Sequence, residues 1–139
     1  LWSREPEQEI FEVCNELGIT FVSYSPLGRG FLTGAYKSRA DFEAGDFRLN
    51  NPRFTEDAFK ENIKFVEVID QMAQSKGVTK AQLALSWILN QNERITAIPG
   101  TRKINRLEEN LGAYNVVLTK ADMELIAASI PKETIGNRY

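Results

Sequence analysis

Ile19-Thr20-Phe21-Val22-Ser23-Tyr24-Ser25-Pro26-Leu27-Gly28-Arg29-Gly30 is the stretch on which the fold turns. Ile19 to Tyr24 is rich in β-branched and aromatic side chains and reads as a strand. Ser25 to Gly30 consists largely of turn formers and reads as a loop. Upstream, Pro6 sits among Glu5, Glu7 and Glu9, an acidic helix opening that tolerates proline in its first turn. Ile10, Phe11, Cys14 and Leu17 then recur at helical spacing, Val13 widens the stripe, and Gly18 supplies the stop. Helix, short link, strand and glycine-bearing loop in that order form an α/β cadence with parallel strands.

Working outward, Phe31 to Thr55 shows no dominant period, and so long a connection reads as a lid or binding loop, or as a surface excursion without a ligand role. Thr55 is a candidate cap for a helix with Phe59, Ile63, Val66, Ile69 and Ala73 as its apolar stripe and Gly77 at its end. Thr79-Lys80-Ala81-Gln82 matches a capping box opening a helix with Leu83, Ala84, Trp87 and Ile88 on one face. Arg94 to Ile98 is a second strand, stopped by Pro99-Gly100. Thr101 offers a hydroxyl to cap a helix carrying Ile104, Leu107 and Leu111. After Gly112, Val116 to Leu118 is extended, and Thr119 opens a last helix with Met123, Ile126, Ala127 and Ile130, closed by Pro131. The tail from Lys132 to Tyr139 is irregular. Five helices around two strands leave a marginal sheet whose strands want cover on both faces. The chain therefore reads as a single segment, 1–139, of a larger parallel sheet or barrel; its start at Leu1 rather than Met reads either as something removed or as a segment of a longer chain.

Composition narrows the function. With 17 Lys+Arg against 19 Asp+Glu, the formal charge of −2 lacks the basic excess of a nucleic-acid or membrane-surface binder. No apolar run reaches the roughly 18–20 residues of a membrane span, and no basic-then-apolar leader precedes the first element, so the expected compartment is the cytoplasm. There is no histidine, which excludes imidazole chemistry within these residues. Cys14 is the only cysteine, so no internal disulfide and no cysteine-built zinc site can form, and its helical neighbours suggest an inert core thiol.

Both strands end in loops suited to an anion. Ser25 to Gly30 follows Tyr24, and Pro99-Gly100-Thr101-Arg102-Lys103 runs from Ile98 into a helix. Ligands of parallel α/β folds bind outside the carboxyl ends of strands, where small residues let backbone N–H groups approach phosphate. Arg102, Lys103 and Arg106 gather positive charge at a helix start, where a cation costs a few tenths to about 1 kcal/mol. A bound phosphate would offset that cost. Neither loop matches the three-glycine dinucleotide fingerprint or the P-loop, so the residues alone read as a phosphate-binding α/β segment.

At these residues the chain resembles the aldo-keto reductases. Leu1-Trp2-Ser3-Arg4 with Glu7 to Gly18 looks like the end of the sixth strand and the sixth helix of their (β/α)8 TIM barrel. Tyr24-Ser25-Pro26-Leu27-Gly28-Arg29-Gly30 looks like the seventh-strand loop over the cofactor pyrophosphate. Ile98-Pro99-Gly100-Thr101-Arg102-Lys103, continuing through Arg106-Leu107-Glu108-Glu109-Asn110, looks like the adenosine-phosphate end of an NADP site. The likeness covers essentially all 139 residues and is nearest to the plant and microbial branch of perakine reductase-like and auxin-induced-type members. It implies the C-terminal portion of the barrel, about strands six to eight with their helices, in an NADP(H)-dependent oxidoreductase that reduces aldehydes or ketones.

Carried over residue by residue, the resemblance implies that Tyr24 stacks on the nicotinamide. Ser25, Leu27 and Arg29 would contact the pyrophosphate, with Gly28 and Gly30 letting the backbone close over it. Thr101 and Arg102 would hold the 2′-phosphate with Lys103 or Arg106, while Glu109 and Asn110 reach the adenine edge. Gly100 stands where many members have a lysine that touches the 2′-phosphate, so Arg102 and Lys103 must supply that charge. The family's catalytic tyrosine, lysine, aspartate and histidine belong to the first part of its barrel, and none of Tyr24, Tyr36, Tyr114 or Tyr139 matches the catalytic motif. The resemblance thus implies no catalytic residue and little activity for this segment alone, with the missing half of the barrel or another copy of the chain as its partner. Two other readings stay open: an NADP-binding regulatory subunit of the channel-associated type, and a non-catalytic half-barrel interaction module.

Overall fold

The computed structural model describes residues 1–131 and 133–138; Lys132 and Tyr139, the latter read above as outside any catalytic motif, lie outside the described residues. Among the described residues the elements are α1 (Ile10–Glu16), β1 (Phe21–Tyr24), α2 (Glu56–Ser75), α3 (Lys80–Leu89), β2 (Ile95–Ile98), α4 (Ile104–Leu111) and α5 (Lys120–Ser129), with short 3-10 turns between them. The strands pair in parallel, Phe21 opposite Ile95 and Tyr24 opposite Ile98, so the chain crosses over between them through α2 and α3.

The local signals for three helices act as expected. Thr55 accepts a hydrogen bond from the Ala58 N–H, and Thr79 and Thr119 form full capping boxes with Gln82 and Asp122. Such caps satisfy N–H groups that the first helical turn leaves without partners, each worth about 1 kcal/mol. Asp122 is also bonded to Lys76 at the end of α2, and that bond with those from Thr119 pulls its pKa down to about 2. The contact ties α5 to α2.

Four expectations need correction. The first helix breaks into a 3-10 turn at Glu5–Glu7 and a short α1, and its stripe is not core: Ile10, Val13 and Leu17 are exposed, and Cys14 is half-buried. Only Phe11 packs inward, edge-on to Phe21 with 5.0 Å between ring centroids. α3 is buried from Leu83 through Ile88 on every side, which makes it the central helix rather than a one-faced one. α4 presents Ile104, Leu107 and Leu111 to solvent and buries Asn110 instead. Thr101 does not cap α4; Lys103 occupies the N-cap position without a side-chain bond, and the Thr101 hydroxyl accepts from the Lys103 N–H one turn earlier.

The segment between Phe31 and Thr55, expected as a lid or binding loop or as a surface excursion, is folded and partly core. It folds into 3-10 turns at Gly28–Thr33, Arg39–Asp41, Phe47–Asn50 and Pro52–Phe54 and sends Phe31, Leu32, Phe42 and Phe54 into the core. Phe31 stacks on Trp2 at 4.6 Å, and Phe54 and Phe59 meet it edge-on. Aromatic packing of this kind contributes about 0.5–1.5 kcal/mol per pair beyond area burial. The absence of periodicity in the sequence reflects turns too short to repeat.

Candidate functional site

Because Tyr24 and Ile98 are the last paired residues of adjacent parallel strands, the loops that follow them leave the same end of the sheet side by side. The first is tightly constrained. Ser25, Gly28, Arg29 and Gly30 all have positive φ, at 48°, 58°, 58° and 87°. The Gly28 N–H donates to the Ser25 carbonyl and the Gly30 N–H to the Leu27 carbonyl, closing two consecutive turns. A Cβ at Gly28 would lie 2.5 Å from Cε3 of Trp2, and one at Gly30 would lie 3.1 Å from Cε2 of Tyr36. Leu27 is half-buried against the core, so its side chain anchors the loop from below.

Arg29 carries a left-handed conformation uncommon for a residue with a side chain. Its carbonyl accepts a 2.9 Å bond from Nη1 of Arg48, and its own Nη1 donates to the Arg138 carbonyl at 3.4 Å. Arg48 is gripped in turn. It makes a two-pronged pair with Asp46, Nε to Oδ1 at 2.9 Å and Nη2 to Oδ2 at 2.5 Å, and its guanidinium lies 4.2 Å from the Tyr36 ring centroid and 4.5 Å from that of Phe42. The Arg48 bond holds the Asp46 carboxyl below its ordinary pKa, and Asp46 raises that of Arg48.

Tyr24 is about half exposed, and Cζ of Arg138 sits 3.9 Å from its ring centroid. The residue expected to stack on a nicotinamide thus carries a guanidinium against its ring. The chain near Arg138 is itself held. Asn51 donates to the Arg138 carbonyl at 2.9 Å, Arg53 Nε to Gly136 O at 3.3 Å, and Asn62 Nδ2 to Ile135 O at 2.9 Å. Tyr24, Ser25, Gly28, Arg29, Arg53 and Arg138 share a cleft of about 150 Å³. Arg53 is buried against the Trp2 ring, and burial, with the charge of Arg138 next, pushes its pKa down. The indole N–H groups of Trp2 and Trp87, residues that border this cleft, are buried without an acceptor among the described residues.

The second loop is open. Gly100 through Arg106 are exposed, and a Cβ added at Gly100 would meet nothing within 4 Å. Arg102 and Lys103 make no ion pair among the described residues, whereas Arg106 is bonded to Glu109 at 2.6 Å. Glu109 is half-buried, its carbonyl bonded by Gln82, and Asn110 is buried beside it. Of the two helpers expected for a 2′-phosphate, Arg106 is paired with Glu109, and Lys103 makes no ion pair among the described residues. The cleft that takes in Tyr24, Ser25, Gly28 and Arg29 includes no residue of this second loop.

Arg48, Asp46, Arg53, Asn51 and Asn62 were not legible as site residues. Asp46 and Arg48 lie two apart in aperiodic sequence, and only the fold brings them under Arg29. No group of three or more candidate metal ligands, and no helix long and apolar enough to cross a membrane, occurs among the described residues.

The profile of the aldo/keto reductase family matches residues 1–131. Aldo-keto reductase yakc [NADP(+)] of Schizosaccharomyces pombe is 46% identical over 135 residues, 96% of this chain and 40% of that protein. Aldo-keto reductase str7 of Strobilurus tenacellus is 43% identical over 122 residues, 88% of this chain and 36% of that protein. The chain thus spans about two fifths of the length of these curated relatives. Among solved structures, the glycerol dehydrogenase AKR11B4 from Gluconobacter oxydans superposes with a TM-score of 0.83 at 23% identity, over 92% of this chain and 39% of that one. The thermostable aldo-keto reductase Tm1743, in complex with the inhibitor epalrestat, gives 0.63 at 25% identity, over 91% and 36%. The architecture of helices around parallel strands is part of the (β/α)8 barrel, and the chain belongs to the aldo/keto reductase family.

Proposed function

We propose that this chain is the C-terminal part of the barrel of an NADP-dependent oxidoreductase that reduces aldehydes or ketones, and that it supplies the pyrophosphate and adenosine-2′-phosphate end of the cofactor site. The observation that carries this reading is the in-register pairing of Tyr24 with Ile98, which sets two phosphate-suited loops next to each other at the carboxyl end of the sheet. The NADP(+) in the name of the yeast relative supports the choice of nucleotide.

Arg29 and Ser25 hold the pyrophosphate in this reading. Arg102, Lys103 and Thr101 hold the 2′-phosphate, with α4 presenting the positive end of its dipole. Tyr24 meets the nicotinamide after Arg138 moves from its ring. The bound nucleotide supplies hydride. The proton comes from the part of the barrel outside this segment, so residues 1–139 alone bind cofactor without turnover. The exposed apolar side chains of β1, β2 and α4, Val22, Ile98, Ile104, Leu107 and Leu111, support a further barrel half or a second copy as the partner. Near-balanced charge favours a small carbonyl substrate over nucleic acid, in a cytoplasmic setting.

The test is titration of the full chain with NADPH and NADH by fluorescence, followed by NADPH oxidation with a panel of aldehydes and ketones. Saturable binding that prefers NADPH is expected, with carbonyl-dependent oxidation only where the rest of the barrel is present and none from residues 1–139 alone. No binding of either nucleotide would refute the reading.

A further inference from the structure

We infer that Arg48 is a positioning residue for the pyrophosphate loop, a latch that holds Arg29 in its left-handed conformation through the 2.9 Å bond from Nη1 to the Arg29 carbonyl. The inference rests on the proposed role of that loop and adds a residue from outside it. Three observations converge on Arg48. Its one guanidinium spans two structures, with Asp46 fixing one edge and the Arg29 carbonyl receiving the other. Tyr36 and Phe42, whose ring centroids lie 4.9 Å apart, pack together against its guanidinium, and the Arg48–Asp46 pair is about seven-eighths buried, so the side chain has little freedom to leave. Tyr36 is also the ring that closely approaches Gly30, so the group that clamps Arg29 also braces the next residue of the loop.

The physical consequence follows from the strain. A residue with a side chain at positive φ lies above its preferred conformation by about 1–3 kcal/mol and persists only when its surroundings over-determine it. The charge-assisted bond from Arg48 is a long-range contact to the Arg29 carbonyl, while the Arg29 side chain is held separately at the Arg138 carbonyl and the Phe47 ring. Without it the loop relaxes, and a ligand must reorder it on binding. Lysine cannot replace the latch fully, because the two bonds to Asp46 and the one to Arg29 need a planar fork rather than a point charge.

The test uses Arg48→Met, Arg48→Lys and Asp46→Asn in the full chain, titrated with NADPH and in parallel with adenosine 2′,5′-bisphosphate, which carries the 2′-phosphate but not the pyrophosphate bridge or the nicotinamide. Arg48→Met should weaken NADPH about tenfold to a hundredfold, the range of a lost hydrogen bond to a charged group, and leave the bisphosphate unchanged. Arg48→Lys should recover part of the loss, and Asp46→Asn should fall between the two. Limited proteolysis of the ligand-free protein should cut faster between residues 28 and 34 in Arg48→Met. Equal NADPH affinity in Arg48→Met and the unaltered chain would overturn the inference while leaving the site reading intact. Parallel weakening of both ligands would overturn it too, as general loosening of the fold. Failure of the unaltered chain to bind NADPH would refute the site reading and this inference with it. Should Arg48→Met not fold, Arg48→Lys and Asp46→Asn carry the same comparison.

Discussion

The loop after β1 and the loop after β2 leave the same end of the sheet, yet they are built in opposite ways. Ser25 to Gly30 is wedged between Trp2 and Tyr36, closed by its own turns and pinned by Arg48. Pro99 to Lys103 has one internal side-chain-to-backbone turn at Thr101, exposed cations, and open space around Gly100. The first loop is shaped before any ligand arrives, so its residues act through conformation. The second offers charge on exposed side chains, so its residues act through electrostatics that salt can screen. Substitutions in the two loops should therefore be read out by different measurements.

The largest contrast is expected at glycine. Gly28→Ala puts a methyl where Trp2 Cε3 stands, at a φ of 58°. Trp2 is buried and stacked on Phe31, so moving it aside disturbs that packing. Strain and overpacking together should lower stability by about 2–4 kcal/mol, measured by urea unfolding of the full chain. A loss below about 0.5 kcal/mol, the size of a surface change, would mean that the first loop is not pre-shaped.

Arg102→Ala tests the other loop and should leave unfolding unchanged. In the proposed site it removes a charge-assisted contact to the 2′-phosphate, so NADPH should weaken about tenfold and NADH hardly at all. The loss should shrink as salt rises. Equal losses for both nucleotides would show that Arg102 does not face that phosphate.

Arg138 lies between these cases, since it touches Tyr24 through its side chain and is tethered through its carbonyl by Asn51 and Arg29. If the guanidinium must leave the Tyr24 ring for a nicotinamide to enter, Arg138→Ala should tighten NADPH about two- to fivefold, the worth of a cation–π contact. Adenosine 2′,5′-bisphosphate should be indifferent to the change. Unchanged or weaker NADPH binding would show that Arg138 does not compete for the ring.

How far the sequence revealed this depends on the range of the interactions. The capped helices, the two strands and their parallel order follow from neighbours a few residues apart, and they read correctly because Thr55, Thr79 and Thr119 act locally. Thr101 misled because the same hydroxyl can serve a turn before a helix as readily as the helix itself. The stripes of α1 and α4 were legible as stripes, but periodicity says which face is apolar and not what covers it. The second loop was legible as a cationic helix start. The clamp on the first was not, because Asp46, Arg48 and Arg29 meet only after three short turns have folded the aperiodic segment back.

The smallest expected effect gives the sharpest test of the contrast. Gly100 has an ordinary φ and nothing within 4 Å of an added Cβ, so Gly100→Lys should fold as the unaltered chain does, within about 0.5 kcal/mol. Its new ammonium would add to the exposed positive charge of Arg102 and Lys103, which make no ion pair among the described residues. A third cation there is unfavourable in the free protein and favourable only with an anion present, so any gain in NADPH affinity directly reports a phosphate at that loop. The gain should be about threefold at low salt, the scale of an exposed ion pair, and should vanish at high salt. Gly28 tolerates no such addition, and that difference separates a loop that recognises by shape from one that recognises by charge. If Gly100→Lys instead destabilised the fold as Gly28→Ala is expected to, the second loop would be as tightly packed as the first, and the division of labour between them would fall.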